Sequence, residues 1–528
     1  MTDPQNPSGM PPWRDFVVRG WVILVWLLAV GNPTAESPCL ASEPPLECQD
    51  PIQPDRPPNV LFIAVDDLRP VLGCYGDPTA VTPNLDHLAS RGTVFARAYC
   101  QQALCSPSRL SLLTGRRPDS TRVWDLSTHF RQALPKVVTL PQHFKKHGYQ
   151  TQGIGKILHG NGKPAFDPPS WTFDPLFAVS RDPNLRYASA KNLSGTGLKR
   201  GSTEAAEVSD DTYLDGKVCQ AAMERLAELK AADQPFFLAV GFRKPHLPFC
   251  APRKYWDLYD RNLIPPATSV VHPSDAPELA TRSWRELEGY QDIANDGKIS
   301  AAKSRQLRHG YYACVSYIDA LIGRLLKGLS KLQLSENTIV VVWGDHGFHL
   351  GEQGLWTKAN NYELSTRVPL IMALPPGSSS GPNLPPQQPG TCNRFVELVD
   401  IFPTLTDICR LPAPPGVEGS SFSALLSDPT LPWKSAVFSQ HPRDTESHRH
   451  KGPGSIMGYA VRTDRYRYVE WKEWNTGNVI TSELYDHHAH AQETYNSIDA
   501  PEYAEARRQL QQILAAGWRA AEPPNDEP

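Results

Sequence analysis

Asn59-Val60-Leu61-Phe62-Ile63-Ala64-Val65, bounded by Pro58 and by Asp66-Asp67, decides the fold. A near-continuous apolar run with β-branched members reads as a strand buried on both faces, as in parallel sheets. Thr338 to Trp343 is a second such run, and it too leads into acid, at Asp345-His346. Pro235 to Gly241 is a third, placed after the amphipathic helix Val218 to Lys230, and Tyr149 to Ile154 is extended. Helical patterns cover Asn84 to Arg91, Ser108 to Thr114, Thr139 to His147, Tyr311 to Leu329 and Val396 to Cys409. Alternating helices and apolar strands predict an α/β sandwich around a central, mostly parallel sheet.

A Gly/Ser/Pro loop occupies Pro375 to Pro389, and from about Pro432 the texture changes. Ala436 to Ser439, Tyr459 to Arg462 and Tyr466 to Trp471 read as strands, and Pro501 to Ala521 as a closing helix. This predicts a smaller C-terminal α+β domain with an antiparallel sheet. The expected organisation is residues 1–35 as signal peptide, 36–58 as linker, 59–430 as catalytic domain, 431–521 as C-terminal subdomain and 522–528 as disordered tail.

The chain has 528 residues, 40% hydrophobic and 21% charged, which suffices for a large core in more than one domain. Its 51 prolines predict stiff surface loops. A net charge of −3 gives no global attraction to nucleic acid. Arg14 and Arg19 precede the apolar run Trp21 to Val30, with Ala35 at a cleavage edge. The run is shorter than the ~20 residues a stable membrane span requires. It reads as an export signal, periplasmic, lysosomal or extracellular according to host. Exported thiols can pair, and Cys39 with Cys48 is the local candidate.

Chemistry concentrates at strand ends, where α/β folds place ligands. Asp66-Asp67 and Asp345-His346 are two such corners, and together they suit an oxygen-binding cation. Histidine is a softer ligand than calcium favours. Basic candidates stand nearby in sequence: Gly155-Lys156 with His159, Lys244-Pro245-His246, and Lys358 within Gly354-Leu355-Trp356-Thr357-Lys358. An isolated loop lysine is ordinarily a solvated charge. Cys105-Ser106-Pro107-Ser108-Arg109, continuing through Leu110 to Thr114-Gly115, is more specific. A lone buried cysteine is ordinarily a core residue, but here proline and a permanent cation stand beside it.

That stretch resembles the Cys-x-Pro-Ser-Arg signature of the formylglycine-dependent sulfatases. The order Asp-Asp, Cys-x-Pro-Ser-Arg, Gly-Lys-x-x-His, Lys-Pro-His, Gly-Asp-His-Gly-x-His-Leu-Gly-Glu and Lys is similar to that of the iduronate-2-sulfatase branch. The similarity runs from about Asn59 to Pro403, is close around Leu72 to Asp77, Thr114 to Asp119 and Phe348 to Glu352, and returns at Leu484 to Asp486. The resemblance implies an alkaline-phosphatase-like sandwich and conversion of Cys105 to formylglycine by a formylglycine-generating or anaerobic sulfatase-maturating enzyme. That conversion leaves nine cysteines of ten, an odd number. It further implies a Ca2+ ion held by Asp66, Asp67, Asp345, His346 and modified Cys105. Arg109 would hold the formylglycine, and His159 would bond its hydroxyl. Lys156 and Lys358 would grip sulfate, and His246 would contact sulfate or the leaving oxygen.

The expected function is hydrolysis of sulfate esters on oligosaccharides or glycosaminoglycans, at a uronate 2-O-sulfate. Two alternatives stand beside it: a phosphodiesterase or phosphonate hydrolase of the wider superfamily, and a sulfated-glycan binder without turnover.

Overall fold

The computed structural model describes residues 57–160, 166–178, 182–282, 284–294, 298–376, 386–444 and 452–524. The expected signal segment, the linker up to residue 56, the Cys39–Cys48 pair, most of the Pro375 to Pro389 loop and the end of the tail lie outside these residues.

The central sheet has nine strands: β1 (Asn59–Val65), β2 (Thr93–Tyr99), β3 (Gln150–Gly155), β4 (Phe173–Leu176), β5 (Phe236–Phe242), β6 (Thr338–Gly344), β7 (Arg367–Val368), β8 (Leu370–Ala373) and β9 (Gly390–Glu397). They pair in the order β7-β2-β8-β6-β1-β5-β3-β4, with β9 also on β2. β6, β1, β5, β3 and β4 are mutually parallel, and β9 is parallel to β2. β8 runs antiparallel between β2 and β6. β2 therefore points the same way as β6, and its carboxyl end reaches the same edge.

Alternation along β1 explains the layers. Leu61, Ile63 and Val65 enter one core, shared with α4 (Leu214–Ala232) and α5 (Ala301–Lys331). Val60, Phe62 and Ala64 enter the opposite core. There they meet α2 (Cys105–Thr114), α3 (Leu140–Lys146) and α6 (Ile401–Ile408); α1 (Pro83–Ser90) lies on the first face. Each fully buried aliphatic of this strand contributes on the order of 1.5–3 kcal/mol. Helix starts follow capping chemistry: Thr139 and Gln142 form a capping box on α3, and Ser300 caps α5.

Two expected elements differ from the structure. Val396 and Glu397 pair with Ala98 and Tyr99 as the end of β9, so the helix begins only at Ile401. A short apolar run does not reveal its period. The closing helix is broken: α7 (Ala504–Ala516) stops at Gly517, whose φ of 75° favours glycine.

The C-terminal sheet is antiparallel, in the order β10 (Ala436–Arg443), β11 (Ile456–Thr463), β12 (Tyr466–Glu473), β13 (Val479–Asp486). The cysteines among the described residues are all free. No described helix is long and apolar enough to cross a membrane.

Candidate active site

The carboxyl ends of β6, β1, β5 and β3 lie side by side and deliver Asp345-His346, Asp66-Asp67, Arg243 to His246, and Lys156 to one edge. β2 leads through a short loop to Cys105, the first residue of α2. Close approach of β3 and β5 depends on glycine. A Cβ at Gly241 would strike the Lys156 carbonyl, and one at Gly155 would strike Gly241.

The acids, Cys105 and His346 are almost fully buried. Ligand atoms of Asp66, Cys105, Asp345 and His346 all lie within 4.8 Å of one another. His346 Nε2 is 3.3 Å from Cys105 Sγ and 3.4 Å from Asp67 Oδ1. His346 Nδ1 faces the Gly347 carbonyl at 3.0 Å. That carbonyl can only accept, so Nδ1 donates and Nε2 is the nitrogen turned toward the acids, the one a cation would take. Asp67 adopts φ 61°, a left-handed geometry uncommon outside glycine. Tyr311 buttresses that turn by donating to the Asp67 carbonyl at 2.8 Å. Asp345 Oδ1 accepts from the Asp67 and His346 amides, each at 3.0 Å. Buried carboxylates converging with an imidazole fit a divalent cation.

Cations balance the acids. Arg109 donates to Asp345 at 2.8 Å, to Asp66 at 3.1 Å and to the Lys156 and Ile157 carbonyls. Lys156 pairs with Asp66, and Lys358 with both oxygens of Asp67 at 3.0 and 2.9 Å. Burial alone would raise Asp66; Lys156, His246 and Arg109 outweigh it and hold the carboxyl well below its usual range. Burial would lower Lys358, but Asp67 and Glu286 keep its ammonium raised. Lys358 stands between Thr357 (φ 76°) and Ala359 (φ 78°), both left-handed. Such strain persists where surrounding contacts over-determine it. Here the Ala359 amide bonds the Ala103 carbonyl at 3.1 Å, tying the lysine's turn to the start of α2.

Burial, reinforced by Asp66, pushes the Cys105 thiol well above its ordinary value. This opposes a plain thiolate nucleophile. Burial, with Lys156, drives His159 well below the usual imidazole range, and its Nδ1 is buried without a protein partner. Beside it, a cavity of about 180 Å3 is lined by Ser106, Leu110, Thr128, Phe130, Leu158 and His159.

The residues singled out from sequence thus meet at one sheet edge, with two differences of detail. Arg109 spends its donors on the acids and on the loop after β3, so it acts here as their scaffold. Lys244 turns its ammonium onto the His246 and Pro248 carbonyls, leaving His246 as the member of that motif facing the acids.

Sequence reasoning missed two residues. Arg243, next after β5, acts electrostatically on Asp66 and Cys105, and its position at a strand end was the available signal. Glu286 bridges His246 and Lys358 from a polar segment remote from every strand end, and nothing in its neighbourhood marks it.

A Sulfatase family model matches residues 58–410, and an N-sulphoglucosamine sulphohydrolase C-terminal model matches residues 351–519. The chain is 35% identical over 480 residues to human (Homo sapiens) iduronate 2-sulfatase, covering 80% of this chain and 86% of that one. Among solved structures, one determined in complex with its substrate D-glucosamine-2-N,6-O-disulfate superposes with a TM-score of 0.68 at 21% identity, covering 87% and 97% of the two chains. The phosphonate monoester hydrolase of Agrobacterium radiobacter superposes with a TM-score of 0.68 at 21% identity, covering 87% and 95%. Those structural likenesses establish a shared fold, whereas the family match and the human relative establish kinship: the chain belongs to the sulfatase family.

Proposed function

We propose that this sulfuric ester hydrolase is exported, uses formylglycine made from Cys105 together with Ca2+, and removes 2-O-sulfate from uronate residues of sulfated saccharides. One observation carries the reading: Cys105 opens a buried helix 3.3 Å from His346 Nε2, against the carboxylates of Asp66 and Asp345. Burial disfavours the thiolate that a plain cysteine nucleophile would need. The uronate assignment rests on the iduronate 2-sulfatase relative. Residues 59–430 form the catalytic unit in this reading, and 431–521 its C-terminal subdomain.

Asp66, Asp67, Asp345 and His346 would hold the cation, which would supply fixed positive charge against sulfuryl oxygens. Formed at Cys105, the hydrated aldehyde would supply two hydroxyls on one carbon, a nucleophile for sulfur and a means of releasing sulfate. Arg109 fixes the acids. Lys156 and Lys358 turn charge toward the ester's non-bridging oxygens. His159, whose Nδ1 has no protein partner, would bond the hydrate's hydroxyl, and His246 would serve the leaving oxygen. A maturating enzyme of the host supplies the modification.

The test is incubation of matured protein with defined sulfated disaccharides, with free sulfate measured. Release from uronate 2-O-sulfate above the other positions supports the reading, and release confined to other positions removes the uronate assignment. The likeness to a phosphonate monoester hydrolase keeps one rival open. A higher kcat/KM on aryl phosphate diesters than on aryl sulfates would favour it.

A further inference from the structure

A cavity of about 320 Å3 lies where the C-terminal sheet meets the loop that follows α2. Gln101, on the way from β2 to Cys105, forms one wall, and Arg117 to Ser120 form another. Phe438 and Gln440 of β10 and Tyr459 of β11 line it from the sheet. Trp518, in the turn just past α7, closes it. None of these residues belongs to the site around Cys105.

Two buried atoms in this wall lack a hydrogen-bond partner. Gln101 is 1% exposed and Arg117 7%, yet Gln101 Oε1 accepts from nothing and Arg117 Nε donates to nothing. Buried polar groups are ordinarily satisfied, so an orphan acceptor and an orphan donor lining one cavity point to a missing partner. Both residues are otherwise held. The Gln101 carbonyl accepts from the Gln440 amide at 2.8 Å. The two terminal nitrogens of Arg117 donate to Glu397 at 2.8 and 2.6 Å.

The charges in the wall are already paired. Glu397 neutralises Arg117, and Lys472 meets Glu470 at 2.8 Å. Asp119 accepts from Trp124, Gln440 and Tyr459, each at 2.8 Å. Glu418 accepts from the Arg117 amide at 2.6 Å and from Ser120. A sulfate or carboxylate would need an unpaired cation here. What the wall offers instead is ring faces and neutral hydrogen-bonding groups. The Trp518 ring lies 4.9 Å from the Arg117 guanidinium carbon. An uncharged sugar ring matches this wall: its C–H faces pack on aromatic rings, and its hydroxyls both donate and accept. The volume is about ten times the ~30 Å3 share of one water, so the space exceeds a buried-water site.

We propose that this cavity is an accessory, non-catalytic site for a neutral saccharide unit. Trp518 is its stacking platform, Gln101 Oε1 accepts from one hydroxyl, and Arg117 Nε donates to another. Nothing in this binding involves the chemistry at Cys105, so the inference stands or falls apart from the sulfatase reading.

The experiment titrates the full-length protein with cellobiose and with chitobiose, followed by calorimetry and saturation-transfer NMR. Wild type and Lys358→Ala should bind at one saturable site with equal dissociation constants. Trp518→Ala should weaken binding by about 10-fold or more, the order expected for loss of an aromatic platform. Trp518→Phe keeps a ring and should lose about 3-fold, and it reads the site if the alanine variant folds poorly. Saturable binding to neither sugar, or binding untouched by Trp518→Ala, would overturn the proposal. Binding abolished by Lys358→Ala would overturn it too, by placing the sugar in the catalytic site.

Discussion

The Arg109 guanidinium donates to Asp345 at 2.8 Å with both side chains fully buried. A second donor reaches Asp66 at 3.1 Å, so one arginine spans the two strand-end acids. Removing one partner of such a pair strands the other charge in a dry interior, at a cost of roughly 3–5 kcal/mol. Arg109→Ala should therefore lower stability by that order as well as abolishing sulfate release. Arg109→Lys should rescue little, because a point charge does not reproduce the planar fork. Denaturant unfolding checks both variants; midpoints equal to wild type would contradict the scaffold role.

The Cys105 side chain meets His346 Nε2 at 3.3 Å, a contact a serine can keep, so Cys105→Ser should leave the melting temperature nearly unchanged. Sulfate release over many turnovers should fall nearly to background, since a serine lacks the second hydroxyl that ejects sulfate. Calorimetry and a sulfate assay on one preparation separate the two effects. Wild-type kcat in the serine variant would defeat the hydrate chemistry.

Calcium binding should stabilise the fold by mass action, about 2.7 kcal/mol at a free concentration 100 times the dissociation constant. The melting temperature should rise with added Ca2+, fall with chelator, and stop responding in Asp345→Asn. A response to neither reagent in the wild type would show that the acids hold no calcium.

Lys358→Ala should cost at least ~2 kcal/mol of transition-state stabilisation, if its charge acts on the developing sulfate. Initial rates across substrate concentrations measure kcat/KM. An unchanged value would remove Lys358 from the reaction.

Asp319 offers a pH test away from the site. It accepts from the Leu85 amide at 2.7 Å and from the Asn84 side chain at 2.7 Å, at the start of α1. Burial raises its pKa from 3.8 to about 6, against the opposing pull of those hydrogen bonds. A raised carboxyl binds its proton more tightly when folded. Its contribution is fully present below about pH 4 and is lost as pH rises through about 6, for a total of roughly 3 kcal/mol. The stability of wild type relative to Asp319→Asn should fall across that window. A flat difference between pH 4 and 7 would refute the shift.

What the sequence revealed follows from where information is local. Asn59 to Val65 announces a two-faced buried strand because its own apolar run suffices, and Asp66-Asp67 inherits a strand end from it. Val396-Glu397 misled because a parallel partner, β2, overrides a run of ambiguous period. The acids and Cys105 were legible as corners and motif. Glu286 was not, because its partners His246 and Lys358 meet it only through tertiary folding. Nor could sequence tell that Lys358 sits between two left-handed residues, which depends on its tie to Ala103.

Cys105 is only 1% exposed, roofed in by the sheet edge it serves. A catalyst that rebuilds its side chain must grip the peptide around it, and the finished globule presents no such handle. Were Cys105 rebuilt as proposed, the chemistry would have to precede collapse: material that folded first would be sealed in its unprocessed form, and the yield of competent enzyme would be decided by a race during synthesis.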